Sequence, residues 1–171
     1  EHLMYTPAPD IIHESAGHAP IIADSDYANY LCNYGEVSRK AIASKQDIEM
    51  YEIIREMSDL KENPNADPEE IERVEKEFDK ISKSIEWISE ASELARMNWW
   101  TAEYGLIGEI DDPKIYGAGL LSSVIESYHC LSEKVEKIPY TIDSTKYDYD
   151  ITEPQPHLFV TENFQKLSKV L

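Results

Sequence analysis

His13-Glu14-Ser15-Ala16-Gly17-His18 holds two of the chain's five histidines, five positions apart and beside an acid. On an ideal α-helix five residues swing the side-chain direction by about 140°, so both imidazoles share a face only if the helix is distorted. Gly17 is where such a distortion, or the helix end, would fall. The spacing is not the His-Glu-x-x-His of zinc peptidases, in which i and i+4 share a face. A metal held here needs a third ligand from elsewhere, with a carboxylate the natural choice. The competing reading is two half-buried histidines on a surface helix.

Working outward, Tyr5-Thr6-Pro7-Ala8-Pro9-Asp10 reads as extended, since residues before proline avoid the α region. Asp10 then caps a helix from about Ile11, with Pro20 just past its end. Asp24 to Arg39 reads as a second helix with Tyr27, Tyr30, Leu31 and Tyr34 on one face. Residues 44–62 form a third, with Ile48, Tyr51, Ile54 and Met57 at spacings of three. After the Asn63-Pro64-Asn65-Ala66 turn, Asp67 caps a helix with Pro68 at its first position. Ile71, Val74, Phe78, Ile81, Ile85 and Ile88 then step in a heptad-like stripe. The two segments form an antiparallel helical hairpin, either a packed arm or also a contact between copies of the chain.

Further on, the helix either continues through Leu94 to Tyr104 or restarts after Ser89, and Gly105 and Gly108 end it. Leu106–Ile110 and Ile115–Tyr116 read as a short β-hairpin around Asp111-Asp112-Pro113-Lys114. Leu120 to Ser132 is expected to be helical, 138–152 strand-like, and Thr161 to Leu171 a terminal helix. The class is mainly α with minor β.

The 171 residues suit one domain with a sizeable core. With 16 basic and 34 acidic side chains the net charge is −18. Nucleic acid and anionic membrane surfaces both ask for a basic face and are disfavoured as partners. No run of about 18 apolar residues offers a membrane span. Two cysteines, Cys32 and Cys130, make no disulfide framework, which fits a reducing, cytoplasmic setting. The chain opens on Glu1-His2-Leu3-Met4, without an initiator methionine or a signal peptide, and reads as a piece of something longer.

Two further stretches carry chemistry. In Asn98-Trp99-Trp100-Thr101-Ala102-Glu103-Tyr104-Gly105, one acid sits among aromatics. Burying it is costly unless it is paired or bound to metal, although Glu103 could equally face solvent. Tyr116-Gly117-Ala118-Gly119-Leu120-Leu121-Ser122-Ser123 is a glycine-rich loop before a helix. It could receive an anion or be an ordinary turn, and it lacks a P-loop lysine.

Taken together and in this order, these motifs resemble the pterin-dependent aromatic amino acid hydroxylases. Tyr5-Thr6-Pro7-x-Pro9-Asp10, His13-Glu14-x-x-Gly17-His18, Trp99-x-Thr101-x-Glu103-x-Gly105, the 116–123 loop and Thr152-Glu153-x-Gln155-Pro156 carry the likeness. It covers Met4 to about Arg39 and Leu94 to about Leu167. The resemblance implies a helical-basket catalytic domain, with 1–171 a part of it and the hairpin at about 44–92 an insertion.

It further implies iron(II) held by His13, His18 and Glu103, a facial set of two histidines and a carboxylate that leaves positions open. Glu14 and Ala95 match pterin-side positions. Thr6, Pro7, Trp99, Gly119, Ser122 and Ser123 match positions around an aromatic amino acid, and Glu126 and Glu153 match acids behind the site. The implied reaction is ring hydroxylation by O2 with electrons from a tetrahydropterin. Ile151, apolar where the tyrosine-hydroxylating branch is acidic, favours phenylalanine as substrate.

Three departures stand out. The segments that stack the pterin and clamp the substrate carboxylate fall before Tyr5. The hairpin replaces a brief connection, and Asn98 stands where better-known members have tyrosine. The residues alone also allow a zinc hydrolase with Glu14 as base, or a helical interaction module.

Overall fold

A computed structural model describes residues 11–63, 65–149 and 154–171. Thr6, Pro7, Asp10, Ile151 and Glu153, with the expectations placed on them, lie outside this set. The fold is helix-rich with one small mixed sheet, and the chain divides into two compact units.

The first unit is Ala41–Ser92. It contains α3 (Lys45–Glu62) and α4 (Pro68–Lys83), the third and fourth helices of the chain, whose predecessors α1 (Ala19–Ile22) and α2 (Ser25–Ser38) belong to the second unit. Ser44 and Asp47 cap α3 reciprocally, and Asp67 accepts the Glu69 N–H at the start of α4. The apolar stripe of α4 turns toward α3, and Val74 and Ile53 are buried. Arg73 reaches Glu56 across the pair. The stripe does not stay helical to Ile88, because α4 stops at Lys83. The Ser84 hydroxyl donates to the Ile81 carbonyl at 2.7 Å and competes for the ladder at that end. The helix restarts as α5 (Glu90–Asn98), led by Ser89, whose hydroxyl accepts the Ser92 N–H at 3.0 Å.

The second unit is 11–40 with Glu93–Leu171. Its sheet has the order β2-β1-β4-β3, with β1 (Leu106–Glu109), β2 (Asp112–Ile115), β3 (Glu136–Pro139) and β4 (His157–Thr161). The expected hairpin is present as the antiparallel pair β1–β2, but its turn is tighter than expected, because Asp112, Pro113 and Lys114 pair with β1 as part of the second strand. β4 runs parallel to both of its neighbours. Pro113 lies in the edge strand β2, the place where a missing N–H does least harm. β4 is central, and Leu158, Phe159 and Val160 are buried as an interior strand requires.

Tyr27 and Tyr30 of α2, Trp100, Leu106, Tyr116, Leu120 and Leu167 fill the core around the sheet. Asp24 starts α2 by accepting from the N–H groups of Asp26 and Tyr27. α8 (Phe164–Val170), capped by Asn163, packs on α2.

Three expectations on this unit are corrected. Residues 138–152 are not one strand, since β3 ends at Pro139 and a 3-10 turn over Ile142–Lys146 follows. Thr141 and Ser144 cap that turn reciprocally, which pulls the backbone out of extended form. The 120–132 helix is two pieces, α6 (Ala118–Ser122) and α7 (Val124–His129), because Ser123 takes an extended conformation to cap α7. The last helix starts at Phe164, because Thr161 belongs to β4. No helix among the described residues is long and apolar enough to cross a membrane.

Candidate metal centre

The five-residue spacing resolves itself through the backbone. His13–His18 is a π-turn, in which hydrogen bonds span five residues, and the Ala19 N–H donates to the Glu14 carbonyl. That wider turn stacks residues five apart on one face, where an α-helix stacks those three or four apart. The two imidazoles consequently meet edge to face, with centroids 4.9 Å apart. Pro20 does not end this helix. It falls in α1, which continues directly from the π-turn.

Glu103 sits in a second π-turn, Trp99–Glu103, closed by the Tyr104 N–H donating to the Trp99 carbonyl at 2.8 Å. Thr101, fully buried, fastens this turn. Its hydroxyl donates to the Met97 carbonyl at 2.7 Å and meets the Tyr30 hydroxyl at 3.0 Å. Both expected histidine ligands and the expected carboxylate are thus presented by the same kind of helical irregularity.

The glycine-rich loop joins the two turns. Gly17 of the first lies flush on Ala118, and a Cβ at Gly17 would come within 2.8 Å of both the Ala118 Cβ and carbonyl oxygen. On the other side a Cβ at Gly117 would lie 2.5 Å from the Glu103 carbonyl oxygen and from the Gly105 nitrogen. The small residues allow backbone-to-backbone contact that larger ones would forbid. The sequence suggested an anion cradle or a plain turn here, and the structure shows a wedge that sets the distance between the two ligand-bearing segments.

The ligand atoms of His13, His18 and Glu103 all lie within 4.8 Å of one another. His13 Nε2 is 3.4 Å from one Glu103 oxygen and His18 Nε2 3.3 Å from the other. The three side chains are about one-quarter exposed, which leaves the cluster open on one side. The hydrogen bond to Glu103 raises the His18 pKa above its ordinary value against the opposing effect of burial, and the Glu103 and Glu14 charges add to the rise.

Ser122 does something the sequence did not suggest. Its hydroxyl lies 2.9 Å from His13 Nδ1 and donates its single hydrogen to the Ala118 carbonyl at 2.8 Å. With that hydrogen on Ala118 the hydroxyl accepts toward His13, so Ser122 holds the Nδ1 side of the ring and Nε2 is the nitrogen turned to Glu103. The donor set, two imidazole nitrogens and one carboxylate, fits iron(II).

Glu14 is exposed on the first π-turn, and Ala95 is exposed on α5. Trp99 is stacked on both faces, by Tyr104 at 4.5 Å and Tyr149 at 4.4 Å, so only its edge is available to another ring. Gly119 lies against Tyr104 and the Glu103 carbonyl. Ser123 accepts the Glu126 N–H as the cap of α7, and burial raises the Glu126 carboxyl above its usual range.

Two contributors were missed, Ser122 as the partner of His13 and Tyr149 as the outer plate on Trp99. Ser122 is 109 residues from His13 in the chain, and no local pattern marks either role.

Comparison with known proteins gives a consistent answer. The family described as biopterin-dependent aromatic amino acid hydroxylase matches residues 1–55 and 73–171. The chain is 32% identical over 164 residues to a phenylalanine-4-hydroxylase of Dictyostelium discoideum, covering 95% of this chain and 27% of that protein. The phenylalanine hydroxylase of Chromobacterium violaceum, solved with iron(III) and 7,8-dihydrobiopterin, superposes with a TM-score of 0.61 at 25% identity. That match covers 94% of this chain and 43% of the other. A structure of the same enzyme with iron and phenylalanine gives 0.62 at 25% identity, covering 99% of this chain and 47% of that one. The chain thus spans about a quarter of the curated relative's length and under half of the solved ones. With the family's pattern running through both π-turns and the wedge between them, the chain belongs to the biopterin-dependent aromatic amino acid hydroxylases.

Proposed function

We propose that this chain is the iron-bearing part of a catalytic domain that hydroxylates the ring of an aromatic amino acid, with iron(II) and a tetrahydropterin as cofactors. The convergence of His13, His18 and Glu103 within 4.8 Å carries the reading. When bound, iron and pterin would supply the activation of O2 and the electrons, chemistry that no side chain provides.

The chain's own residues do the rest. His13, His18 and Glu103 hold the ion, and the Ser122 hydroxyl fixes the tautomer and orientation of His13. Glu14 and Ala95 face the pterin. Thr6, Pro7, the edge of Trp99, Gly119, Ser122 and Ser123 surround the amino acid, and the aromatic stack around Trp99 keeps water from that side. Phenylalanine is the favoured substrate, supported by the apolar Ile151 and by the names of the relatives.

The chain works in the cytoplasm. The α3–α4 pair is an antiparallel hairpin inserted into the domain, a reading supported by the family pattern, which passes over 56–72. The hairpin is either a packed arm alone or also a contact between copies of the chain, and loss of self-association on its deletion with metal binding intact would decide for the second. Family membership speaks against a hydrolase, and the intact ligand set speaks against a bare interaction module.

Anaerobic titration should give about one iron(II) per chain in the parent and none in His13→Ala or Glu103→Ala. Iron binding by both variants at parental strength would overturn the assignment. In the natural full-length protein, tyrosine should form from phenylalanine and tetrahydropterin, and no product with either variant.

A further inference from the structure

The first unit is closed at its base by one carboxylate. Asp47 Oδ2 accepts from the Ser44 N–H at 2.6 Å and the Ser89 hydroxyl at 2.5 Å, and Oδ1 accepts from the Ser92 hydroxyl at 2.7 Å. Ser44 precedes α3, and Ser89 precedes α5, so a single side chain satisfies donors at two helix starts, and Ser89 is 42 residues from Asp47 in the chain. Ser89 is 1% exposed, so its hydroxyl has no water to turn to. Beside the carboxylate the two ends of the unit are bonded to each other. The Ala91 N–H donates to the Ile42 carbonyl at 3.2 Å, and the Ile42 N–H donates to Glu90 at 2.9 Å. The chain therefore enters and leaves the unit at one point, and everything between is closed on itself.

We infer that Asp47 is a clasp that shuts residues 42–91 at their base, so that this arm opens and closes as one cooperative element apart from the metal-bearing unit. The inference rests on the reading of the arm as an insertion. Negative charge at a helix start is favourable, and a carboxylate bridging two such starts couples them. Loss of the carboxylate frees both ends together. Contiguous segments that open together below the global unfolding limit are a general feature of folded proteins.

The test is amide hydrogen exchange on the chain and on Asp47→Ala and Ser92→Ala, with cobalt(II) binding measured in parallel. The reporters are the N–H groups of Ala91 and Ser92, neither of which bonds to Asp47 itself. Asp47→Ala should speed both by about tenfold or more, and Ser92→Ala should speed Ala91 by a smaller factor. Exchange at Leu158–Val160 and cobalt(II) affinity should stay within about twofold of the parent.

Unchanged exchange at Ala91 in Asp47→Ala overturns the clasp, and so does cobalt(II) affinity falling with it. If Asp47→Ala fails to fold, Ser92→Ala alone decides on the same two readings. The insertion reading is tested separately by replacing 45–88 with a short Gly-Ser linker. Lost cobalt(II) binding there sinks the insertion, whatever the exchange shows.

Discussion

Replacing Ser122 with alanine removes the group that dictates which nitrogen of His13 faces the metal. The lost contact is a half-buried hydrogen bond of 2.9 Å on a group whose only hydrogen is committed to Ala118. In net stability each such bond is worth about 1 kcal/mol, so the fold should survive with a small fall in melting temperature. Metal affinity should suffer more. Without an acceptor at Nδ1 the imidazole populates both tautomers and several ring angles, and loss of such an outer partner typically costs about 10–100-fold in affinity. That is roughly 1.4–2.8 kcal/mol of binding free energy.

The assay is an anaerobic titration with iron(II), or with cobalt(II) followed by its visible absorption. Ser122→Thr, which keeps the hydroxyl, serves as the rescue, and circular dichroism reports the fold. Binding by Ser122→Ala within twofold of the parent would refute the tautomer argument. Equal losses in the alanine and threonine variants would reduce Ser122 to a packing residue.

Three other outcomes follow from contacts already described. Gly17→Ala drives a methyl to 2.8 Å from Ala118 backbone and side chain, so it should cost about 1–3 kcal/mol by thermal denaturation and weaken metal binding at the same time; an unchanged melting temperature would mean that the two segments are not pressed together. Thr101→Val leaves the buried Tyr30 hydroxyl without its Thr101 partner and should cost about 1–3 kcal/mol in denaturant titration. Burial pushes the Asp47 carboxyl up, but hydrogen bonds from Ser89, Ser92 and Ser44 outweigh it and hold the group below its ordinary 3.8. A carboxyl depressed on folding gives stability that is full above the unfolded value and is lost as pH falls through the folded one. Protection at Ala91 should therefore be flat above 3.8 and fade below it, and Asp47→Asn should remove that dependence.

The ligands were legible because they sit in ordered motifs, but their meeting was not. Five-residue spacing argues against a shared face on an α-helix, and nothing in His13–His18 announces that the backbone will switch to a five-residue ladder there. The cause lies far away in the chain. Gly17 must rest on Ala118, a contact that local pattern cannot express. Caps were easier. Asp24 and Asp67 mark helix starts because a short acceptor beside free N–H groups acts locally. Serines misled where they cap against the expected element, as Ser123 does in splitting 120–132 and Ser144 in bending 142–146 out of strand. β-Pairing was read where it is local, in β1–β2. It could not be read for β4, whose partners lie 21 and 54 residues earlier in the chain.

Each π-turn can be regarded as an α-helix with one surplus residue, and that surplus sets a phase. One residue advances an α-helix by about 100°, so excising Ala16 would let the ladder relax to regular form and rotate everything downstream by that angle. His13 and the former His18 would then be four apart and again on one face. The flat approach of Gly17 to Ala118 would be turned away, taking the pair out of line with Glu103. The spare residue is a spacer in rotation, and it makes the distance between the histidines and the carboxylate a matter of counting along the chain.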